Sequence, residues 1–221
     1  YIHSRLLERA THLNKKNGRG SLTALPIIET EAQDISAYIP TNLISITDGQ
    51  LYLSPKLFEL GMMPAVDVAK SVSRVGGKAQ LSVYGNISGN LKLAYSQFEE
   101  LETFARFGTR LDENTRKIIE HGKRIRACFK QPELQPVPVP EQVAVLIALT
   151  NGLLDAIPLD KMTEAETLVR QTSSQIPANV LKNIHGASPL SKADEEVILS
   201  LAKTALQPLI NSSENKSDSH E

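Results

Sequence analysis

The sequence predicts an α/β portion followed by an all-helical bundle, and three observations carry that prediction. In the first 80 residues short apolar runs are broken by Gly, Pro and Asp-Gly punctuation. From about residue 80 onward apolar residues recur at spacings of three and four, in segments long enough for helices. Between two of those segments Pro132, Pro136, Pro138 and Pro140 force an extended, stiff connection.

In sequence order, Ile2, Leu6, Leu7, Ala10 and Leu13 fall at helical spacing from the first turn, the pattern expected of a piece of a longer protein. Asn17-Gly-Arg-Gly20 breaks that helix, and Leu22 to Ile28 reads as a short buried strand. Ile44 to Thr47 and Gln50 to Leu53 read as strand segments joined by a tight turn at Asp48-Gly49. Ser54 is placed to cap a short helix with Pro55 at its first position, Leu57, Phe58 and Leu60 on its buried side, and Gly61 as its stop. The stretch Pro64 to Gly77 then reads as a loop that carries Ser71, Ser73 and Arg74.

Beyond it, Leu91, Ala94, Phe98, Leu101, Phe104 and Phe107 mark a helix ending at Gly108, and Ile118, Ile119, Ile125 and Phe129 mark a second. A strongly apolar helix is expected from Val143 to Leu154. Thr163-Glu-Ala-Glu166 has the form of a capping box, and Ser191 precedes a last amphipathic helix with Val197, Ile198, Leu201 and Leu206. From residue 211 no apolar residue remains, so 211–221 is expected to be a disordered tail. The expected division is 1–80, 81–210 and 211–221.

Composition narrows the function classes. With 24 Lys plus Arg against 25 Asp plus Glu, no net field favours nucleic acid or an anionic membrane. Cys128 is the single cysteine, which excludes an intrachain disulfide and a cysteine-built zinc site. His3, His12, His121, His185 and His220 show no close pair at metal-ligand spacing, and no metal is assigned. No apolar run approaches the roughly 20 residues that cross a bilayer.

Arg74 is the residue of greatest chemical interest. Its guanidinium is always charged and presents a rigid fork suited to the spread charge of a transferring phosphoryl group, although an arginine in such a place also serves as a surface ion pair. No Gly-x-x-x-x-Gly-Lys-Ser/Thr occurs in the sequence, so nothing here cradles phosphates in the P-loop manner. Asn17-Gly-Arg-Gly-Ser21 follows a helix and precedes a strand, the reverse of the order a phosphate loop needs. Ser71 and Ser73 have an ordinary alternative as loop hydrogen-bonding residues.

Four segments together carry a resemblance: Tyr1 to Ala10, Gly20 to Thr30, Ser36 to Gln50 and Ser71 to Gly76. They closely resemble the alpha-subunit family of F-type ATP synthases, in one register from Tyr1 to about Leu154. Pro64 to Ser73 also looks like a segment shared with beta subunits and secretion or flagellar ATPases; the Ser36 to Gln50 run favours alpha. The resemblance implies the last part of a RecA-like, P-loop nucleotide-binding domain followed by the helical carboxyl-terminal domain.

That family's alpha subunit binds nucleotide without turning it over and reaches an arginine into the site of the adjacent beta subunit. Arg74 matches that arginine, Ser45 would face the neighbour's nucleotide with it, Ser71 is the family serine associated with activity, and Ser73 lies beside the finger. Gln131 matches a glutamine that lies against adenine in alpha's own site, with Pro64 and Phe58 as further nucleotide-binding candidates. ATP or ADP with magnesium is the implied cofactor of the intact complex, none being expected to bind tightly to these 221 residues alone. Implied partners are beta subunits in a heterohexameric ring, the central-stalk gamma subunit and the peripheral stalk with delta. The implied place is the cytoplasmic face of a bacterial or archaeal plasma membrane, reached only through the membrane sector, with proton or sodium as coupled ion.

Departures from the family pattern are Met63 for an arginine, Glu133 for a second glutamine, and Lys70 and Lys78 for uncharged residues. Lys70 brings a second cation close to Arg74, where it strengthens the field on a phosphate or sits in solvent. Val83-Tyr-Gly-Asn86 resembles the alternative N-type branch. A different reading takes residues 81–210 as a helical subunit-interaction module without a catalytic role, on the strength of the apolar helix from Val143.

Overall fold

The computed structural model describes residues 2–105 and 111–217, so Phe107, Gly108 and the last four residues of the tail lie outside the described residues. The protein divides into two compact units, Tyr1–Tyr52 with Lys70–Val75, and Leu53–Ala69 with Gly76–Glu221.

The first unit is sparse. Helix α1 (Ile2–Leu7) packs on helix α2 (Tyr38–Ile46). Between them Leu22 to Ile28 forms no strand, and Leu25 and Ile27 are 83% and 95% exposed. The expected buried strand is absent because a strand needs a neighbour to take its N–H and C=O groups. Only the isolated bridge between His12 and Ser21 touches the start of this stretch among the described residues.

Ile44 to Thr47 also differs from expectation: it is the end of α2 and the turn after it, not a strand of a hairpin. Thr47 Oγ1 donates to Leu43 O at 2.8 Å, closing the last turn, and also approaches Gly49 O at 3.0 Å. Strand β1 (Gly49–Leu53) pairs instead with β2 (Val66–Ser73) in a two-stranded sheet. Arg74 N donates to Asp48 O at 2.7 Å and Ser54 N to Ala65 O at 2.8 Å, so the pair is antiparallel. Most of the stretch expected to be a loop from Pro64 to Gly77 is therefore strand.

Helix α3 (Pro55–Glu59) follows its local signals. Ser54 Oγ accepts from Leu57 N at 3.4 Å, Pro55 occupies the first turn, and Gly61 turns the backbone at φ +68°. Its buried side is narrower than expected: Leu57 is buried with Met62 and Ala65, whereas Phe58 and Leu60 are exposed.

The second unit holds the main core. Helices α4 (Ser82–Ala105), α5 (Glu113–Cys128), α6 (Val139–Thr150), α7 (Met162–Gln171), α8 (Ala178–Ile184) and α9 (Lys192–Ser217) supply one cluster of buried apolar residues. α6 is buried around most of its girth through Val143, Ala144, Val145, Ile147, Ala148 and Leu149, as a central helix must be. α4 and α5 meet where the fully buried Phe98 ring lies on Gly122; a Cβ there would come 2.0 Å from Phe98 Cγ. Arg126 spans the same contact, pairing with Glu102 through two nitrogens at 2.8 and 2.9 Å and lying 4.4 Å over the Phe98 ring.

The capping box appears at a different helix. A 3-10 turn at Leu159–Lys161 runs straight into α7, so Thr163 is interior and its carbonyl accepts from Thr167 Oγ1 at 2.8 Å. At α9 the box does form: Ser191 Oγ accepts from Asp194 N at 3.2 Å, and Asp194 Oδ2 accepts from Ser191 N at 3.4 Å. α9 extends to Ser217, into the segment expected to be a tail.

Candidate functional site

Arg74 is the first residue after β2, exposed, in the first unit. Its position is fixed at two points. The backbone bond to Asp48 O holds its amide, and Nη1 donates to Ser45 O at 3.0 Å, at the end of α2. Gly49 makes the first contact possible: its φ is +151°, and a Cβ there would lie 2.3 Å from Val72 O. The strands can close next to Arg74 only with glycine at 49.

The guanidinium keeps Nε and Nη2 without a partner among the described residues, on an exposed residue. A fork with one donor tethered and others open is arranged to meet an anion from outside. Ser45 lies beside it through its carbonyl, while its hydroxyl donates to Asn42 O at 2.7 Å. Ser71 is turned to the hairpin: its Oγ accepts from Tyr52 N at 3.0 Å. Ser73, exposed, ends β2 immediately before Arg74. Thus the structure brings Ser45 and Arg74 into contact and strings Ser71 and Ser73 along the strand that presents the arginine.

The nucleotide-binding candidates belong to the second unit. Gln131 N donates to Met63 O at 2.8 Å, which ties the proline-rich spacer to the residue before Pro64. The Gln131 amide group donates to Gln135 O at 2.8 Å, and Phe58, 61% exposed, stands on α3 a few residues upstream. Gln131, Pro64 and Phe58 therefore come from neighbouring pieces of one unit. Asp48, Gly49 and Tyr52 are the contributors that sequence reasoning missed. Asp48-Gly49 was legible as a special backbone position, but its use as an anchor for Arg74 depends on a strand about 25 residues away.

Other chemistry-bearing groups have structural occupations. Burial pushes the Cys128 thiol up to about 12, so no nucleophilic thiolate forms near neutrality. His121 Nδ1 lies 2.7 Å from Asp155 Oδ1, joining α5 to the turn after α6. Burial raises the carboxyl of Glu166, opposed by Arg170 at 2.5 Å. No group of three metal-ligating residues occurs among the described residues.

The family model "ATP synthase alpha/beta chain, C terminal domain" matches residues 80–205, and that of the ATP synthase alpha/beta family, nucleotide-binding domain, matches residues 1–73. The protein belongs to the ATP synthase alpha/beta family. Within it the sequence is that of the carboxyl-terminal part of an F-type alpha subunit. It is 68% identical to "ATP synthase subunit alpha 2" of Albidiferax ferrireducens over 93% of this chain and 39% of that protein. "ATP synthase subunit alpha 1" of Marinomonas sp. is also 68% identical, over 94% of this chain and 41% of that protein. "ATP synthase subunit alpha 2" of Polaromonas naphthalenivorans is 65% identical, over 95% and 40%. The sequence spans about two fifths of the length of these ATP synthase relatives. Both family regions flank Arg74, one ending at Ser73 and the other beginning at Gln80.

Proposed function

We propose that this chain is the part of an ATP synthase alpha subunit that supplies an arginine in trans to a catalytic nucleotide site on an adjacent beta subunit. The carrying observation is Arg74 itself: exposed, anchored through backbone and Nη1, and open at its remaining donors. As phosphoryl transfer proceeds, charge spreads over the equatorial oxygens, and a fixed fork of donors meets that charge without reorganising. Ser45 fixes the direction of the fork, and Ser71 with Ser73 sets the strand that carries it. Gln131, Pro64 and Phe58 contribute to a non-catalytic nucleotide site completed by the preceding part of such a subunit. ATP or ADP with magnesium is the ligand in both sites.

In the whole assembly the protein sits in a ring with beta subunits around a gamma stalk, with delta at the periphery, and the turnover is coupled to proton or sodium movement. Among the described residues no helix is long and apolar enough to cross a membrane, in keeping with a peripheral place on the cytoplasmic face. The Val83-Tyr-Gly-Asn86 segment supports assignment to the N-type branch. The alternative of a helical interaction module loses its motive, because the apolar face of α6 is consumed inside its own bundle.

Arg74→Lys in the full-length subunit keeps the charge and loses the fork. In the assembled complex its multisite ATP turnover is expected to fall by about a thousandfold or more, with assembly and nucleotide binding retained. Normal turnover by that assembled variant overturns the reading.

A further inference from the structure

Lys70 is the cation that the arginine reading leaves unused. Lys70 on β2 lies across the two-stranded sheet from Tyr52 on β1. Lys70 Nζ sits 4.6 Å from the centroid of the Tyr52 ring, within cation-π range. The ring is a fixed platform: Tyr52 is 8% exposed and its amide is held by Ser71 Oγ. Gln50 Nε2 adds a bond to Lys70 O at 3.3 Å.

The Tyr52 hydroxyl is buried with no partner among the described residues. An unpaired buried hydroxyl destabilises, so the aromatic face and not the phenol is what this position supplies. Alternate strand residues share a face, and Arg74 follows directly after β2, four residues on from Lys70. Four residues at about 3.3 Å each separate their Cα atoms by about 13 Å. That exceeds the screening length of about 8 Å at physiological salt. Two cations so spaced meet different parts of an anion as extended as a triphosphate, and the farther one acts on binding more than on bond breaking.

We propose that Lys70, held on the Tyr52 ring, is a positioning cation that draws the phosphate chain of a nucleoside triphosphate on the adjacent subunit into place against Arg74. The proposal rests on the reading of Arg74 as a residue acting in trans. The ring matters because it limits the rotamers of a long flexible residue, so that less freedom is lost when the anion arrives.

The test uses the full-length subunit in its assembled complex, with Lys70→Met, Tyr52→Leu and Tyr52→Phe, and magnesium ATP as substrate at low and high salt. Lys70→Met is expected to raise KM about threefold to tenfold at low salt, to leave kcat within about twofold, and to flatten the salt dependence of kcat/KM. Tyr52→Leu should reproduce that change, and Tyr52→Phe, which keeps the ring, should not. Lys70→Met with parental KM and salt dependence at both ionic strengths overturns the proposal, as does a loss confined to kcat. Because Arg74→Lys is read in kcat and Lys70→Met in KM, failure of one is distinguishable from failure of the other.

Discussion

The helical unit and the amino-terminal unit use apolar residues in opposite ways. In the bundle Phe98, Val143, Leu154, Ile198 and Leu206 are fully enclosed, whereas Leu25 and Ile27 stand almost wholly in solvent. Composition does not explain the contrast, since both regions are rich in Leu and Ile. The difference lies in partners: six helices in sequence close on one another, while an extended apolar segment buries itself only against a neighbouring layer. The region with the thinnest packing is the one that carries Arg74. Its order there comes from a few directed bonds and not from a core.

Phe98 is where this contrast can be challenged hardest. Phe98→Ala should destabilise the bundle by about 3–5 kcal/mol, measured by denaturant unfolding followed by circular dichroism. A loss below about 1 kcal/mol means that the α4–α5 contact is not the tight one described. Gly122→Ala comes next, at about 1–3 kcal/mol, because Phe98 lies where the new methyl must go.

Gly49→Ala probes the same contrast from the other side. Its cost, about 1–3 kcal/mol of local strain, should fall on the hairpin and not on the bundle. Hydrogen exchange at the Arg74 amide is expected to accelerate while the slow amides of α6 are unchanged; parallel acceleration of both merges the two regions into one cooperative unit.

Acid should act on the bundle through its caps. The Asp112 carboxyl is lowered by its bonds to Thr115, and Asp194 by Ser191 first and Asn183 after burial's opposing effect. Groups with depressed folded values stabilise above the unfolded value of about 4 and lose that contribution as pH falls through the folded value. Glu166 runs the other way: its raised carboxyl makes ionisation costly in the fold, so acid relieves it. Asp112→Asn and Asp194→Asn should therefore shallow the acid limb of a stability profile below about pH 4, and Glu166→Gln should steepen it. An acid limb unchanged by all three assigns the acid sensitivity elsewhere. The smallest effect is expected for Leu25→Ser with Ile27→Ser, within about 0.5 kcal/mol in stability. Their readout is lower self-association in sedimentation, since they remove exposed apolar surface.

Much of the bundle was legible because helical periodicity is a local pattern: Leu91 and Phe98 on α4 and Ile119 and Ile125 on α5 are buried where the spacing puts them. The α3 signals at Ser54, Pro55 and Gly61 were equally plain, being satisfied within a few residues. Ile44 to Thr47 was not legible, because a four-residue apolar run has no preference of its own and α2 absorbed it. The capping box at Thr163 failed for a similar reason, since the turn feeding α7 fixed the helix start before that threonine. At the candidate site, the chemistry of Arg74 was readable from its residue type, but not its tether to Ser45.

The order of amino acids was enough for the family, the α/β-then-helical arrangement, the bundle's buried stripes and a fork-shaped cation without a phosphate loop. It took tertiary packing to make residues 66–73 a strand, to press Gly49 against Val72, to rest Lys70 on Tyr52, and to select which apolar segments are covered. The reason is one of range. A helix satisfies its hydrogen bonds within four residues and writes its buried face as a period, whereas a strand and an anchored arginine depend on atoms that the local sequence does not specify.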